Sequence, residues 1–160
     1  VIITPELLQS AIVTRLGEVF PGEPVYQDVT RRDFKRPSNL VELQGIDLDA
    51  LSMGHREVGL RYRFKVTTFT KTDEVHDSHL PVLSARSMLI LGAFAPGYLK
   101  AGDRAPKVVE LQADTSFYDC AEVSLAFELA LDRREFEPEE LYPIMRELNT
   151  RFLEKKEEAD

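Results

Sequence analysis

The densest group of potential ligand side chains is Asp73-Glu74-Val75-His76-Asp77-Ser78-His79. Imidazole nitrogens and carboxylate oxygens this close together can converge on zinc or another divalent ion. The pattern is not His-Glu-x-x-His, which draws two ligands and a general base from one helix, and no third ligand stands out. A solvated loop running into a helix cap uses the same residues, so the expectation is neither a metal nor a cofactor. Asp73, His76 and His79 remain the residues on which a small metal-dependent enzyme would be built.

Asp47 and Asp49 alternate along a strand-like segment and project to one side, as two carboxylates sharing an ion or a proton would. An EF-hand loop would continue with oxygen donors and a glycine, but Leu51 and Ser52 follow. Cys120, the only cysteine, cannot form an intramolecular disulfide or supply a cysteine zinc site, and at the start of a strand it reads as packing rather than as a nucleophile. Gly-x-Ser-x-Gly, Gly-Lys-Ser/Thr and Gly-x-Gly-x-x-Gly are all missing. These residues lead to the expectation of a protein without catalytic residues.

Charge placement is more informative. Arg31, Arg32, Lys35 and Arg36 stand against Asp33 alone, with Phe34 read as an exposed loop aromatic among them. Residues 55–71 add Arg56, Arg61, Arg63, Lys65 and Lys71 against Glu57, whereas residues 135–160 carry nine acids and four bases. The chain therefore reads as electrically two-sided. Arg61-Tyr62-Arg63-Phe64-Lys65-Val66 looks superficially like an RNA-recognition strand, but the glycines of that motif are missing and Tyr62 and Phe64 fall on the apolar face. A protein contact is the preferred reading, since opposite charges on separate faces suit head-to-tail association.

These residues need elements to hold them. Thr4-Pro5 starts a helix, with Leu8, Ala11, Ile12, Leu16, Val19 and Phe20 as its core stripe and Pro21-Gly22 as its end. Val25 to Val29 is a short strand, and Asn39 to Leu51 is a strand whose alternation slips at Gly45, which predicts a bulge. The clearest strand is Val58 to Phe69: Val58, Leu60, Tyr62, Phe64 and Val66 face the core, and Arg61, Arg63 and Lys65 make the other face basic. Asp77 or Ser78 caps a second helix to about Ala93, with Leu80, Leu83, Ser87, Met88 and Leu91 on its stripe. Lys107 to Gln112 and Ala121 to Leu131 form an antiparallel hairpin. From Pro138 a final helix puts Leu141, Met145, Leu148 and Phe152 on one face, its regular part starting near Leu141 because of Pro143.

The predicted class is α+β: a mostly antiparallel β-sheet flanked by an N-terminal, a central and a C-terminal helix. One domain is expected over residues 1–160, with 154–160 a frayed acidic tail. A chain of 160 residues buries roughly 70% of its unfolded surface, enough for a self-sufficient core. The net charge of −8 and a pI near 5.0 argue against a protein whose main work is holding nucleic-acid phosphates. No apolar run approaches the roughly 18 residues of a membrane span, so a soluble chain with no membrane partner is expected. Its first residues lack the pattern of a secretory leader.

The first helix running into Phe20-Pro21, then Val25-Tyr26, then Phe34-Lys35-Arg36-Pro37-Ser38 opening a strand, resembles the tail terminator (tail completion) proteins of long-tailed bacteriophages and prophages. The Arg61-Tyr62-Arg63-Phe64-Lys65-Val66 strand and the Asp119 to Leu131 strand follow in the same order, so the resemblance runs to about Leu131. It implies a structural protein of the virion tail, assembled in the host cytoplasm as a homo-oligomeric ring, commonly a hexamer. Such a ring caps the tail tube, ends its polymerisation and presents the surface for head joining. The implied partners are the chain itself, the tail tube protein and a head–tail connector protein, with DNA touched at most through the ring lumen. Another head–tail connector or neck protein would share this description. Arg31, Arg32, Phe34, Lys35 and Arg36, with Arg61, Arg63 and Lys65, are the expected protein-interaction residues.

Overall fold

The computed structural model describes residues 3–28, 32–54, 56–71, 80–114 and 119–136. Helix α1 (Pro5–Val19) opens as the sequence predicts: the Thr4 hydroxyl accepts the Leu7 N–H at 3.3 Å, and Pro5 occupies a position where a missing N–H costs nothing. Leu8, Ile12, Leu16 and Phe20 are buried along one side. Strands β1 (Val25–Gln27), β2 (Ser38–Ala50) and β3 (Glu57–Phe69) follow, then helix α2 (Leu80–Phe94), then β4 (Lys107–Asp114) and β5 (Cys120–Asp132). A single 3₁₀ turn, Arg133–Phe136, follows β5.

The five strands make one mixed sheet in the order β1-β2-β3-β5-β4. β1 runs parallel to β2, and the other three pairs are antiparallel. The α+β class and the mostly antiparallel sheet are therefore present, with two α-helices among the described residues. The expected C-terminal helix, the acidic tail and the Asp77/Ser78 cap all lie outside them. No described helix is long and apolar enough to cross a membrane.

The slip at Gly45 is a bulge: the β2–β3 register shifts between Leu43 and Gly45. A Cβ at Gly45 would stand 2.5 Å from Arg63 Nη2, so glycine lets the guanidinium lie across the bulged backbone. On the helix side of β3, Val58, Leu60, Tyr62, Phe64 and Val66 are all buried, as their alternation predicts. Phe127 of β5 is the centre of the aromatic core, meeting Phe64 at 6.3 Å and Phe94 of α2 at 6.1 Å, both edge to face. The buried Tyr62 hydroxyl donates to the Ile3 carbonyl and so ties the chain start to the sheet.

α2 sits at a different rotation from the one its sequence suggested. Leu80 and Met88 of the expected stripe are exposed, and the buried residues are Leu83, Arg86, Ser87, Ile90 and Phe94. A helix that is apolar all round offers no periodic signal to choose a face. Its one charged residue, Arg86, settles the matter by pointing inward. The guanidinium donates to both carboxylate oxygens of Glu23, at 3.0 and 2.6 Å, and to Thr68 Oγ1 at 2.8 Å. It also lies 4.2 Å from the centroid of the Phe20 ring. Bidentate pairing and an aromatic face together satisfy a charge that would otherwise be too costly to bury.

Candidate interaction surface

The basic loop divides into two kinds of residue. Arg32 and Lys35 are exposed, and the Lys35 backbone N–H donates to the Tyr26 hydroxyl at 3.0 Å. Arg31 lies outside the described residues. Phe34 is not the exposed aromatic that its polar neighbours suggest: it is half-buried against Phe69, with centroids 5.3 Å apart. Arg36 stacks on both rings, at 5.3 and 5.1 Å. Its guanidinium also donates to the Asp119 carbonyl at 3.0 Å and the Thr70 carbonyl at 3.4 Å, and pairs with the Asp119 carboxylate at 3.5 Å. Arg36 therefore fastens the loop to the ends of β3 and β5, and only Arg32 and Lys35 among the described loop bases are presented outward.

The strand face expected to be basic is charge-balanced. Arg61 pairs with Glu128 of β5 at 3.3 Å, and Arg63 with Asp47 of β2 at 2.8 Å. Lys65 lies between Glu42 and Glu122, at 3.4 and 3.3 Å. Burial would lower the Lys65 pKa, but the charge and hydrogen bonds of Glu122 and Glu42 outweigh it and hold the ammonium above its ordinary value. The bases of β3 thus form a cross-strand ladder with acids on both neighbouring strands. Asp47 belongs to that ladder rather than to a carboxylate pair with Asp49.

The other chemical candidates resolve similarly. Asp73, His76 and His79 lie outside the described residues, and among those that are described no cluster of three or more His, Cys, Asp or Glu can hold a metal. Burial, then Asp119 and Glu122, push the Cys120 thiol up to about 11 against a weaker opposite pull from Arg36. Little thiolate is present at neutral pH, which suits a packing residue.

Two exposed apolar surfaces lie on the helix side, and charge counting missed both. The first is the outer face of α2, where Val82, Ala85, Met88, Leu89 and Gly92 are exposed and no charged residue interrupts four turns. The signal for it was an apolar helix with a single charge. The second is the far half of β2. β1 pairs with β2 only from Asn39 to Val41. Asp28 then turns away at a φ of 57°, and its Oδ1 accepts the Leu43 N–H at 3.2 Å and Gln9 Nε2 at 3.0 Å. Beyond that point Leu43, Ile46 and Leu48, opposite Phe64, Tyr62 and Leu60, are 37%, 45% and 53% exposed.

No protein-family model matches the chain, and no curated protein matches it. Among solved structures, one similar chain has a TM-score of 0.42 and 19% identity, over 85% of this chain and 99% of its own. At that score it adds nothing to the reading of fold or function.

Proposed function

We propose that this chain is a structural assembly protein that associates with its own copies in a closed ring, and that the ring acts as a tail terminator: it caps a tail tube, ends its growth and offers a surface to a head–tail connector. The observation that carries the self-association is the outer face of α2. Exposed apolar residues scattered singly need no explanation, but an uncharged face running the length of a helix is costly to leave in water and marks a contact surface. The tail assignment comes from the resemblance of the Phe20 to Ser38 region to tail terminators. On this reading Arg32 and Lys35 supply a tube-facing or inter-subunit contact, whereas Arg36, Arg61, Arg63 and Lys65 hold the subunit in shape.

Native mass spectrometry across a range of protein concentrations tests the ring directly. The expected result is a closed oligomer that Leu89→Lys disperses and Thr14→Lys, on the exposed side of α1, leaves intact. A monomer at every concentration, both alone and after mixing with tail tube protein, would overturn the proposal. Arg32→Glu with Lys35→Glu separates the two parts of the reading, since it is expected to abolish tube capping without unfolding the subunit. The connector alternative predicts binding to a portal or adaptor ring in place of the tube.

A further inference from the structure

β2 pairs with β3 along its length, but with β1 only from Asn39 to Val41. At the hairpin the Leu51 N–H donates to the Glu57 carbonyl at 2.8 Å. Antiparallel pairs alternate between residues that exchange hydrogen bonds and residues that do not. The backbone groups of Gly45, Asp47 and Asp49 therefore turn toward β3, and those of Ile46, Leu48 and Ala50 turn away from it. The other end of the strand gives the same alternation. The Val41 carbonyl accepts the Asp28 N–H at 2.9 Å, Asp28 Oδ1 accepts the Leu43 N–H, and the bulge between Leu43 and Gly45 shifts the outward positions by one. Past Asp28 no described strand meets Ile46, Leu48 or Ala50, so their N–H and C=O groups form an open edge about 14 Å long.

The two faces of this edge differ. Ile46 and Leu48 are exposed on the helix side, opposite the buried Tyr62 and Leu60. Asp47 and Asp49 stand on the other face, Asp47 beside Arg63 and Asp49 exposed. A strand added here meets apolar side chains on one face and carboxylates on the other. The chain's own edges do not match that pattern. Antiparallel pairing of two β2 edges about Leu48 sets Asp47 of one copy against Asp49 of the other. The opposite edge of the sheet, β4, carries Glu110, Gln112 and Asp114 on the carboxylate face, and β1 offers no cation. Like charges directly opposite one another destabilise a strand pair. We propose that the edge from Ile46 to Ala50 receives, by strand addition, an extended segment of another protein in which apolar and basic residues alternate. Backbone pairing holds the segment, Ile46 and Leu48 take its apolar side chains, and Asp49 selects its basic ones, since Asp47 is shared with Arg63. The inference does not depend on the ring or the tail, because it uses neither the outer face of α2 nor the basic loop.

A blocked heptapeptide of alternating lysine and valine, with lysine at both ends, is the probe for the full chain. In amide exchange followed by NMR, Ile46, Leu48 and Ala50 are expected to exchange faster than Asp47 and Asp49 in the free protein and to become protected when the peptide binds. The glutamate–valine counterpart is expected to bind about tenfold more weakly, and Asp49→Lys is expected to reverse that order. Methylating the nitrogen of the central valine, which faces β2 in this pairing, is expected to abolish binding, whereas methylating a neighbouring lysine nitrogen, which faces away, leaves it intact. No binding, equal binding of the two peptides, or equal loss with either methyl group would each overturn the proposal. Protection of Ile46, Leu48 and Ala50 before any peptide is added would show that the chain itself or a second copy already fills the edge, and would overturn it too. Leu89→Lys is expected to bind the peptide as the parent does, whatever it does to the ring; loss of binding in that variant would place the peptide on α2 and overturn the proposal.

Discussion

Helices α1 and α2 lie on the same side of the sheet, have the same length of 15 residues, and distribute polarity in opposite ways. α1 keeps Glu6, Ser10, Thr14 and Glu18 outward and buries Leu8, Ile12 and Leu16, the arrangement of a helix whose back meets water. α2 turns its only charge inward and leaves Val82, Met88 and Leu89 outside. The inward Arg86 costs desolvation that Glu23, Thr68 and Phe20 offset, so the rotation of α2 is held by polar contacts rather than by a hydrophobic stripe. Composition alone would rank α2 the better core helix, although its outer surface is exposed.

The largest effect on this contrast is expected from Arg86→Ala. It leaves the Glu23 carboxylate without its partner and opens space beside Phe20, at a cost of about 3 kcal/mol in urea unfolding. Arg86→Met with Glu23→Leu should recover most of that loss, because the pair is then replaced rather than broken. Thr4→Ala is the matching test on α1. Loss of one N-cap is worth about 1 kcal/mol, and the same unfolding curves measure it.

A smaller effect concerns the strands beneath the helices. Burial, with Asp119 and Glu122, raises Cys120 from 9.0 to about 11; burial raises Tyr62 above 10.0; and Glu122 and Glu42, against burial, raise Lys65 above 10.5. Each group keeps its proton longer in the folded than in the unfolded chain. Stability is therefore full below about pH 9 and falls as pH rises through 9.0 to 11. Cys120→Ser should flatten the early part of that decline in melting temperature against pH. The smallest stability change, within about 0.5 kcal/mol, is expected for Leu89→Lys, the substitution expected to disrupt assembly most. Together these results would separate what α2 does for the fold from what it does for association.

Much of the fold was legible in the sequence because its signals are local. Thr4-Pro5 carries its own cap, the slip at Gly45 shows in the alternation of β2, and Val58 to Val66 shows its face within nine residues. The candidate surface was less legible because it depends on neighbours that only tertiary pairing supplies. Arg61, Arg63 and Lys65 look basic in a window of sequence, but Asp47 and Glu42 come from one adjacent strand, and Glu128 and Glu122 from another far along the chain. Phe34 and Arg36 look like an exposed basic loop until Phe69 and Asp119 are brought against them. The orientation of α2 depended on Glu23, 63 residues from Arg86.

The early turn at Asp28 and the short β4 give the sheet an unequal outline. At the level of Val41 and Val66 all five strands lie side by side; at the level of Ala50 and Val58 only β2, β3 and β5 remain among the described residues. With neighbouring strands about 4.8 Å apart, the distance between outer strand axes narrows from about 19 Å to about 10 Å. The described sheet is thus a wedge in its own plane, with the β2–β3 hairpin as its thin end. Identical wedges set flank to flank, thin ends together, turn through a fixed angle at each addition and follow an arc where rectangular blocks would extend in a straight line.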